Sequence, residues 1–173
     1  MRTPSNDRKG TELAEPKKAE HEKFKGTKDL AAAQIGDLIG EIEFVVPQEM
    51  VERFSWAMDD YNPWYLVESP FGGRIAAPTI PLTFDGSMFY DYYKYPEGGS
   101  LFAKQEFEFF APIKVGEKYR LRGTLIDTYP RKGRTFFKMG VSITNGEGAE
   151  VLRMVKTVAT PVNPVQSPER ESK

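Results

Sequence analysis

The chain has 173 residues, enough for one domain with a hydrophobic core and too few for two comfortable ones. It carries 24 Lys/Arg against 25 Asp/Glu and no cysteine, which excludes disulfides, thiolate metal sites and cysteine nucleophiles. No run approaches the roughly 20 apolar residues that span a bilayer, and no apolar stretch follows the basic residues near the start. Membrane insertion and a secretory signal are therefore not expected, and a cytoplasmic location is.

Residues 1–28 hold eight Lys/Arg against five Asp/Glu, a net of +3, and few large apolar side chains beyond Leu13 and Phe24. Such a segment buries too little surface to offset its ordering entropy and is read as a polar, flexible tail. Residues 164–173, broken by Pro164 and Pro168, form a second polar end, which leaves 29–163 as the folded unit. That unit has fourteen basic against eighteen acidic residues, a net of −4. An acidic body argues against nucleic acid as a partner, because phosphate binding needs a concentrated basic face.

Within the unit, the alternation of Ile42 and Phe44 with glutamates predicts a first strand over 40–46. Pro47 then opens a helix, since its missing N–H costs nothing in the first turn. Met50, Val51, Phe54, Ala57 and Met58 fall at helical spacing and predict one apolar stripe. The Asn62-Pro63 step ends that run and starts a short excursion through Leu66 and Val67. Over 78–93 the apolar residues Ile80, Leu82, Phe84, Met88, Phe89, Tyr92 and Tyr93 spread around more than one helical face. A helix apolar on most sides is expected to be buried on most sides, with Gly86 accommodating a close backbone approach.

After Gly98-Gly99 the period becomes two. Phe107 and Phe109 oppose Glu106 and Glu108; Tyr119, Leu121 and Leu125 alternate with Arg120, Arg122 and Thr124; Phe137, Met139, Val141 and Ile143 share a face before an Asn145-Gly146 turn. Val151, Val155 and Ala159 alternate with Leu152, Met154 and Val158, a strand apolar on both faces. These read as antiparallel strands joined by short turns. The predicted fold is α+β: an antiparallel sheet wrapped around one long buried helix, the hot-dog arrangement.

The chemistry-bearing segment is Asp60-Tyr61-Asn62-Pro63-Trp64-Tyr65, followed by Gly72-Gly73-Arg74-Ile75-Ala76-Ala77-Pro78-Thr79. It resembles the MaoC-like hydratases and dehydratases, which act on acyl thioesters of coenzyme A or acyl carrier protein. Catalytic members of that family carry Asp-x-Asn-Pro-x-His, whose Asp and His act together on a water. Here Asp60 is kept and Tyr65 stands where the His belongs. Hydration of an enoyl thioester deprotonates water as it attacks Cβ and delivers a proton to Cα, so two complementary acid–base groups must share one water. A phenol with an ordinary pKa near 10 is a poor base at neutral pH, although it can donate a proton or orient a water. The single histidine, His21, lies in the polar tail.

In two-part members of the family the non-catalytic half shows Asn-Pro-x-Tyr and an Ile-Ala-Pro-type turn, and shapes the acyl pocket while its partner carries the Asp/His pair. Asn62, Pro63, Tyr65, Ala76, Pro78 and Thr79 match that half. The resemblance implies a substrate-binding subunit of a heteromeric enoyl-thioester hydratase in fatty acid metabolism. Its partner would be a second hot-dog chain with an intact Asp/His pair, or a second copy of itself. No metal and no cofactor are expected beyond coenzyme A or a carrier protein bearing the substrate. Two further readings stand beside it: a self-sufficient hydratase using Asp60 with Tyr65, and a hot-dog acyl-CoA thioesterase. Expected substrate contacts are Asn62, Pro63, backbone donors around Ala77, Thr79 and Ile80 next to Pro78, and Arg131, Lys132 and Arg134 for coenzyme A phosphates. Asp60 also suits a simple turn before Asn-Pro, and Trp64 suits packing as well as ligand contact.

Overall fold

A computed structural model describes residue 26 and residues 28–94 and 99–161; of Ser87, Tyr90 and Pro161 it describes the backbone. Most of the first tail, His21 included, and all of the last ten residues lie outside the described residues. The elements are a 3-10 turn at Leu30–Ala32, β1 (Leu38–Val45), α1 (Gln48–Met58), α2 (Pro63–Leu66), α3 (Leu82–Tyr92), β2 (Leu101–Phe109), β3 (Lys118–Arg131), β4 (Arg134–Asn145) and β5 (Glu150–Pro161). The strands form one sheet in the order β1-β3-β4-β5-β2, every pair antiparallel. This is the α+β hot-dog arrangement expected from the alternating pattern. Among the described residues no helix is long and apolar enough to cross a membrane.

Period-two residues line the inner face as their spacing predicts. Tyr119, Leu121 and Leu125 of β3, Phe137, Met139, Val141 and Ile143 of β4, and Leu152, Met154 and Val158 of β5 are all buried. Helix α3 lies on this face, and its Met88 occupies the space above two glycines. A Cβ on Gly40 would come within 2.4 Å of Met88 Cγ, and one on Gly123 within 2.8 Å of Met88 Cε. Here glycine lets helix and sheet approach closely. The close approach expected at Gly86 is absent, since a Cβ there would meet nothing within 4 Å.

The central helix is shorter than its apolar pattern suggests. It begins at Leu82 instead of Pro78 and its eleven residues span about 16 Å. Residues 78–81 form turns, with Ile80 N–H donating to Ala77 O and Leu82 N–H to Thr79 O. Two prolines in this run supply no N–H to a helical ladder. At the other end Tyr93 is extended and bridges Lys28, which brings the start of the fold against the helix C-terminus. Burial is one-sided: Asp85, Met88 and Phe89 face inward, Leu82, Phe84 and Tyr92 are half-buried, and Thr83 and Asp91 are exposed.

Helix α1 also differs from its expected stripe. Pro47 sits at the N-cap, one position before the helix. Val51 and Ser55 are buried and Met50 and Phe54 half-buried, whereas Ala57 and Met58 are exposed. The inward face thus includes a serine and ends at Ser55, one turn before Asp59 enters the left-handed region at φ 53° and stops the helix. Between β4 and β5 the connection is longer than a two-residue Asn-Gly turn. Asn145 accepts hydrogen bonds on its side chain from the N–H groups of Glu147 and Ala149.

Candidate functional site

The motif begins where α1 ends. Asp59 and Asp60 donate their N–H groups back to the last turn, Asp60 to Ser55 O at 2.9 Å, so Asp60 lies just past the helix with its side chain exposed. Asn62 then caps α2, its side-chain oxygen accepting from Trp64 N–H at 3.0 Å, and Pro63 fills the first helical position. In one turn of helix the chain directs Tyr65 inward, 7% exposed, and leaves Trp64 outward against Phe71 in an edge-on contact at 5.9 Å. Trp64 thus packs at the surface between α2 and the following loop.

Burial raises the Tyr65 phenol above the ordinary tyrosine range, and the negative charge of Asp60 raises it further. The phenol is thus neutral at physiological pH: it can donate a proton and cannot take one from water. The described residues contain no histidine. Asn62 and Pro63 act locally as cap and first residue, which positions Tyr65 and does not require a ligand.

Two polar residues missed by sequence reasoning lie on α1. Gln48 Nε2 makes a long 3.5 Å hydrogen bond to Tyr65 O, while Gln48 Oε1 and Ser55 Oγ are buried without a hydrogen-bond partner. A serine four residues after Val51, inside an apolar stripe, was the available signal.

The second half of the motif is pinned beside the first. Gly72 and Gly73 take positive φ and turn the chain, after which Ile75 N–H donates to Trp64 O at 3.0 Å and Ala76 N–H to Ile113 O at 2.7 Å. The run 74–77 is thereby clamped between α2 and the segment that leads into β3. The N–H of Ile80 is engaged by Ala77 O, which removes it from the expected donor set. Those of Ala77 and Thr79 have no hydrogen-bond partner among the described residues. A small apolar cavity of about 70 Å³ adjoins this turn, walled by Ala77, Pro78, Pro81, Phe109, Ile113 and Leu152. Neither Asp60 nor Tyr65 lines it.

Arg131, Lys132 and Arg134 form the tip of the β3–β4 hairpin. They occupy the end of β3 opposite to Tyr119, and it is the Tyr119 end that abuts the motif: Lys114 N–H donates to Tyr119 Oη at 2.8 Å, and Lys114 bridges Ile75. The structure does not bring the hairpin cations to Asp60, Tyr65 or the 76–79 turn. Two lysines that sequence reasoning passed over, Lys114 and Lys118, line an open hollow of about 580 Å³ with Phe71 beside the motif loop.

No curated protein matches the chain. Several solved structures share its fold. A MaoC-like dehydratase from Rhodospirillum rubrum superposes with a TM-score of 0.66 at 20% identity, covering 80% of this chain and 99% of that one. A C-terminally truncated HadBC (3R-hydroxyacyl-ACP dehydratase) complex from Mycobacterium tuberculosis gives 0.68 at 20% identity, covering 76% and 100%. The R-hydratase PhaJ1 from Pseudomonas aeruginosa gives 0.64 at 20% identity, covering 76% and 84%. Residues 33–154 match the model of the FAS1-like dehydratase domain region. With that match spanning most of its length, the chain belongs to the FAS1-like dehydratase domain family, and it shares the hot-dog fold of the MaoC-like dehydratase.

Proposed function

We propose that this chain is the substrate-binding subunit of a heteromeric enoyl-thioester hydratase, a 3-hydroxyacyl-thioester dehydratase that takes its catalytic Asp/His pair from a second hot-dog chain. The observation that carries the reading is Tyr65. It occupies the position five residues after Asp60 where the family's catalytic imidazole stands, and its phenol is buried and held neutral. Water needs a base to attack Cβ, and a neutral phenol is not one. Asp60 alone is an exposed carboxylate on a helix end, without a second group to share its water.

The remaining features suit a pocket-forming role. Free N–H groups at Ala77 and Thr79 can face the thioester oxygen, with Pro78 between them and an apolar cavity adjoining. Lys114 and Lys118, flanking an open hollow next to the motif loop, are better placed for a phosphate-bearing carrier than the hairpin of Arg131, Lys132 and Arg134. The HadBC structure is a complex, and a second subunit is the natural complement to an edge strand that exposes Leu101, Phe102 and Phe109.

The competing reading makes Asp60 the base and Tyr65 the acid of a self-sufficient enzyme, and the influence of Asp60 on the phenol gives it a concrete form. Hydration of crotonyl-CoA decides between them. The purified chain alone should give no turnover, and adding a hot-dog partner with intact Asp and His should restore it. Robust turnover by the chain alone, abolished by Asp60→Asn, would establish the competing enzyme instead.

A further inference from the structure

Strand β2 ends the sheet: it is bonded to β5 on one side and, among the described residues, to no strand on the other. Its inner side is already occupied. Phe107 packs against the core, and Phe109 walls the small cavity at the motif turn. Gln105 lies opposite Lys156 of β5, whose ammonium donates at 2.8 Å to the enclosed Asp85 of α3. What stays open is the edge itself, along which Leu101, Phe102 and Phe109 are each more than half exposed. The strand contains no proline, and an apolar edge of this kind pairs readily with another strand.

On the outer side Lys104, Glu106 and Glu108 follow one another at every second position. Glu108 is engaged by Arg153 of β5 at 3.1 Å, while Lys104 and Glu106 pair with each other at 2.7 Å and are both exposed. This order of charges decides which strand can lie alongside. A second copy related by a twofold axis perpendicular to the sheet presents the same strand antiparallel, with its inner face on the same side. Outer residues must then meet outer residues, so the axis falls on a residue. On Lys104 it sets two ammonium groups opposite each other, and on Glu106 two carboxylates. On Phe107 it sets Glu106 against the partner subunit's Glu108, twice. On Gln105, Lys104 meets the partner subunit's Glu106 and Glu106 meets the partner subunit's Lys104, with no like pair.

We propose that β2 is the seam of a homodimer, in which two copies join antiparallel about Gln105 through reciprocal Lys104–Glu106 pairs and two five-stranded sheets become one. Opposite charges facing each other across a strand pair stabilise it, and like charges destabilise it. Gln105 is also the midpoint of Leu101–Phe109, so this register brings the Phe109 end of each strand to the Leu101 and Phe102 end of the other and covers the exposed apolar groups. The irregularity between Phe102 and Lys104 lies outside the charged pairs. The opposite edge lacks this complementarity, because the charged residues of β1 are both glutamates, Glu41 and Glu43. The inference stands apart from the hydratase reading, since it concerns the chain without a second hot-dog protein.

Sedimentation equilibrium of the full chain tests the seam through its charges. The parent should dimerise in the micromolar range. Lys104→Glu turns both reciprocal pairs repulsive and should weaken the dimer about thirtyfold, and adding Glu106→Lys to it should bring affinity back to within about threefold of the parent. Both side chains are exposed, so the urea midpoints should stay close to the parent's and separate lost pairing from lost folding. The register is read by cross-linking, since the chain has no cysteine of its own. Directly opposite residues stand about 4.5–5.5 Å apart and can form a disulfide, whereas residues more than about 7 Å apart cannot. An oxidised mixture of Lys104→Cys and Glu106→Cys chains should therefore give a mixed covalent dimer, and neither variant alone should. A parent that stays monomeric, or a dimer that Lys104→Glu leaves intact, overturns the seam. Lys104→Cys linking to itself in place of Glu106→Cys overturns the register.

Discussion

The two edges of the sheet are built from opposite chemistry. On the β1 edge, Glu41 and Glu43 face Lys118, Arg120 and Arg122 of β3 across the outer surface, with ion pairs from 3.2 to 3.8 Å. Beneath them Phe84, Phe44 and Tyr119 stack in sequence at 4.3 and 5.8 Å, closing the interior. On the β2 edge the arrangement is inverted. Large apolar groups are open to solvent, with Leu101, Phe102 and Phe109 each more than half exposed, and a charged pair is enclosed at Asp85 and Lys156. Charges blunt an edge against pairing, and exposed apolar groups invite it. The β1 side is therefore a finished surface, and the β2 side is where this domain offers both a cavity and an edge to something else.

The largest expected effect lies in the interior of the β2 side. Asp85→Ala leaves the Lys156 ammonium enclosed without its partner, which should cost about 3–5 kcal/mol in urea unfolding. The paired replacement Asp85→Leu with Lys156→Met removes both charges and should recover most of that loss. An unfolding midpoint for Asp85→Ala that matches the parent would mean that the pair contributes little, and the contrast between an inner and an outer ion pair would vanish.

A smaller effect belongs to the β1 side and depends on pH. Tyr119 is pushed up to about 12, first by burial and further by Glu117, against an opposing hydrogen bond from the Lys114 backbone. Below about pH 10 the phenol is protonated in both folded and unfolded chains, so its contribution is complete. Above that the unfolded chain ionises first, and stability declines until the folded phenol also ionises near 12. The total is at most roughly 2–3 kcal/mol. Urea melts between pH 9 and 11 should show this decline, and Tyr119→Phe should make it shallower. An identical slope in the variant would place the alkaline sensitivity elsewhere.

What the sequence made legible follows the same division. The pattern of β3, β4 and β5 was readable because each alternates large apolar residues with polar ones along an inner strand, and burial enforces that alternation. The motif was readable because Asn62, Pro63 and the glycine turn have fixed local geometry. The ion pair was not, since Asp85 and Lys156 are 71 residues apart and meet only through helix placement and strand register. Gln105 likewise looks like an ordinary polar residue in a strand until its neighbours across the sheet are known. The start of α3 was misplaced because apolar spacing continues through Pro78 and Pro81 while the backbone forms turns. The hairpin tip at Arg131 to Arg134 drew attention by charge alone, and charge carries no information about which end of a strand meets the site.

The β2 edge supplies the smallest effect on the isolated fold and the sharpest test of the comparison. Phe109 is 53% exposed, stacked on Phe107 at 5.6 Å, and ends the strand beside the motif turn. Phe109→Glu should change the stability of the chain by no more than about 1 kcal/mol, as for most surface positions. In an assembly the same side chain would be enclosed, and losing an aromatic anchor from an interface typically weakens it by about 2 kcal/mol, roughly thirtyfold in affinity. Sedimentation equilibrium of the parent and Phe109→Glu chains, alone and mixed with a hot-dog partner, measures that loss. Glu43→Arg on the opposite edge is the control, because its ion pairs are solvent-exposed. If Glu43→Arg dissociates the complex and Phe109→Glu does not, the edges have exchanged roles: the charged ladder would be the docking surface, and the aromatic strand would be an exposed rim with no partner.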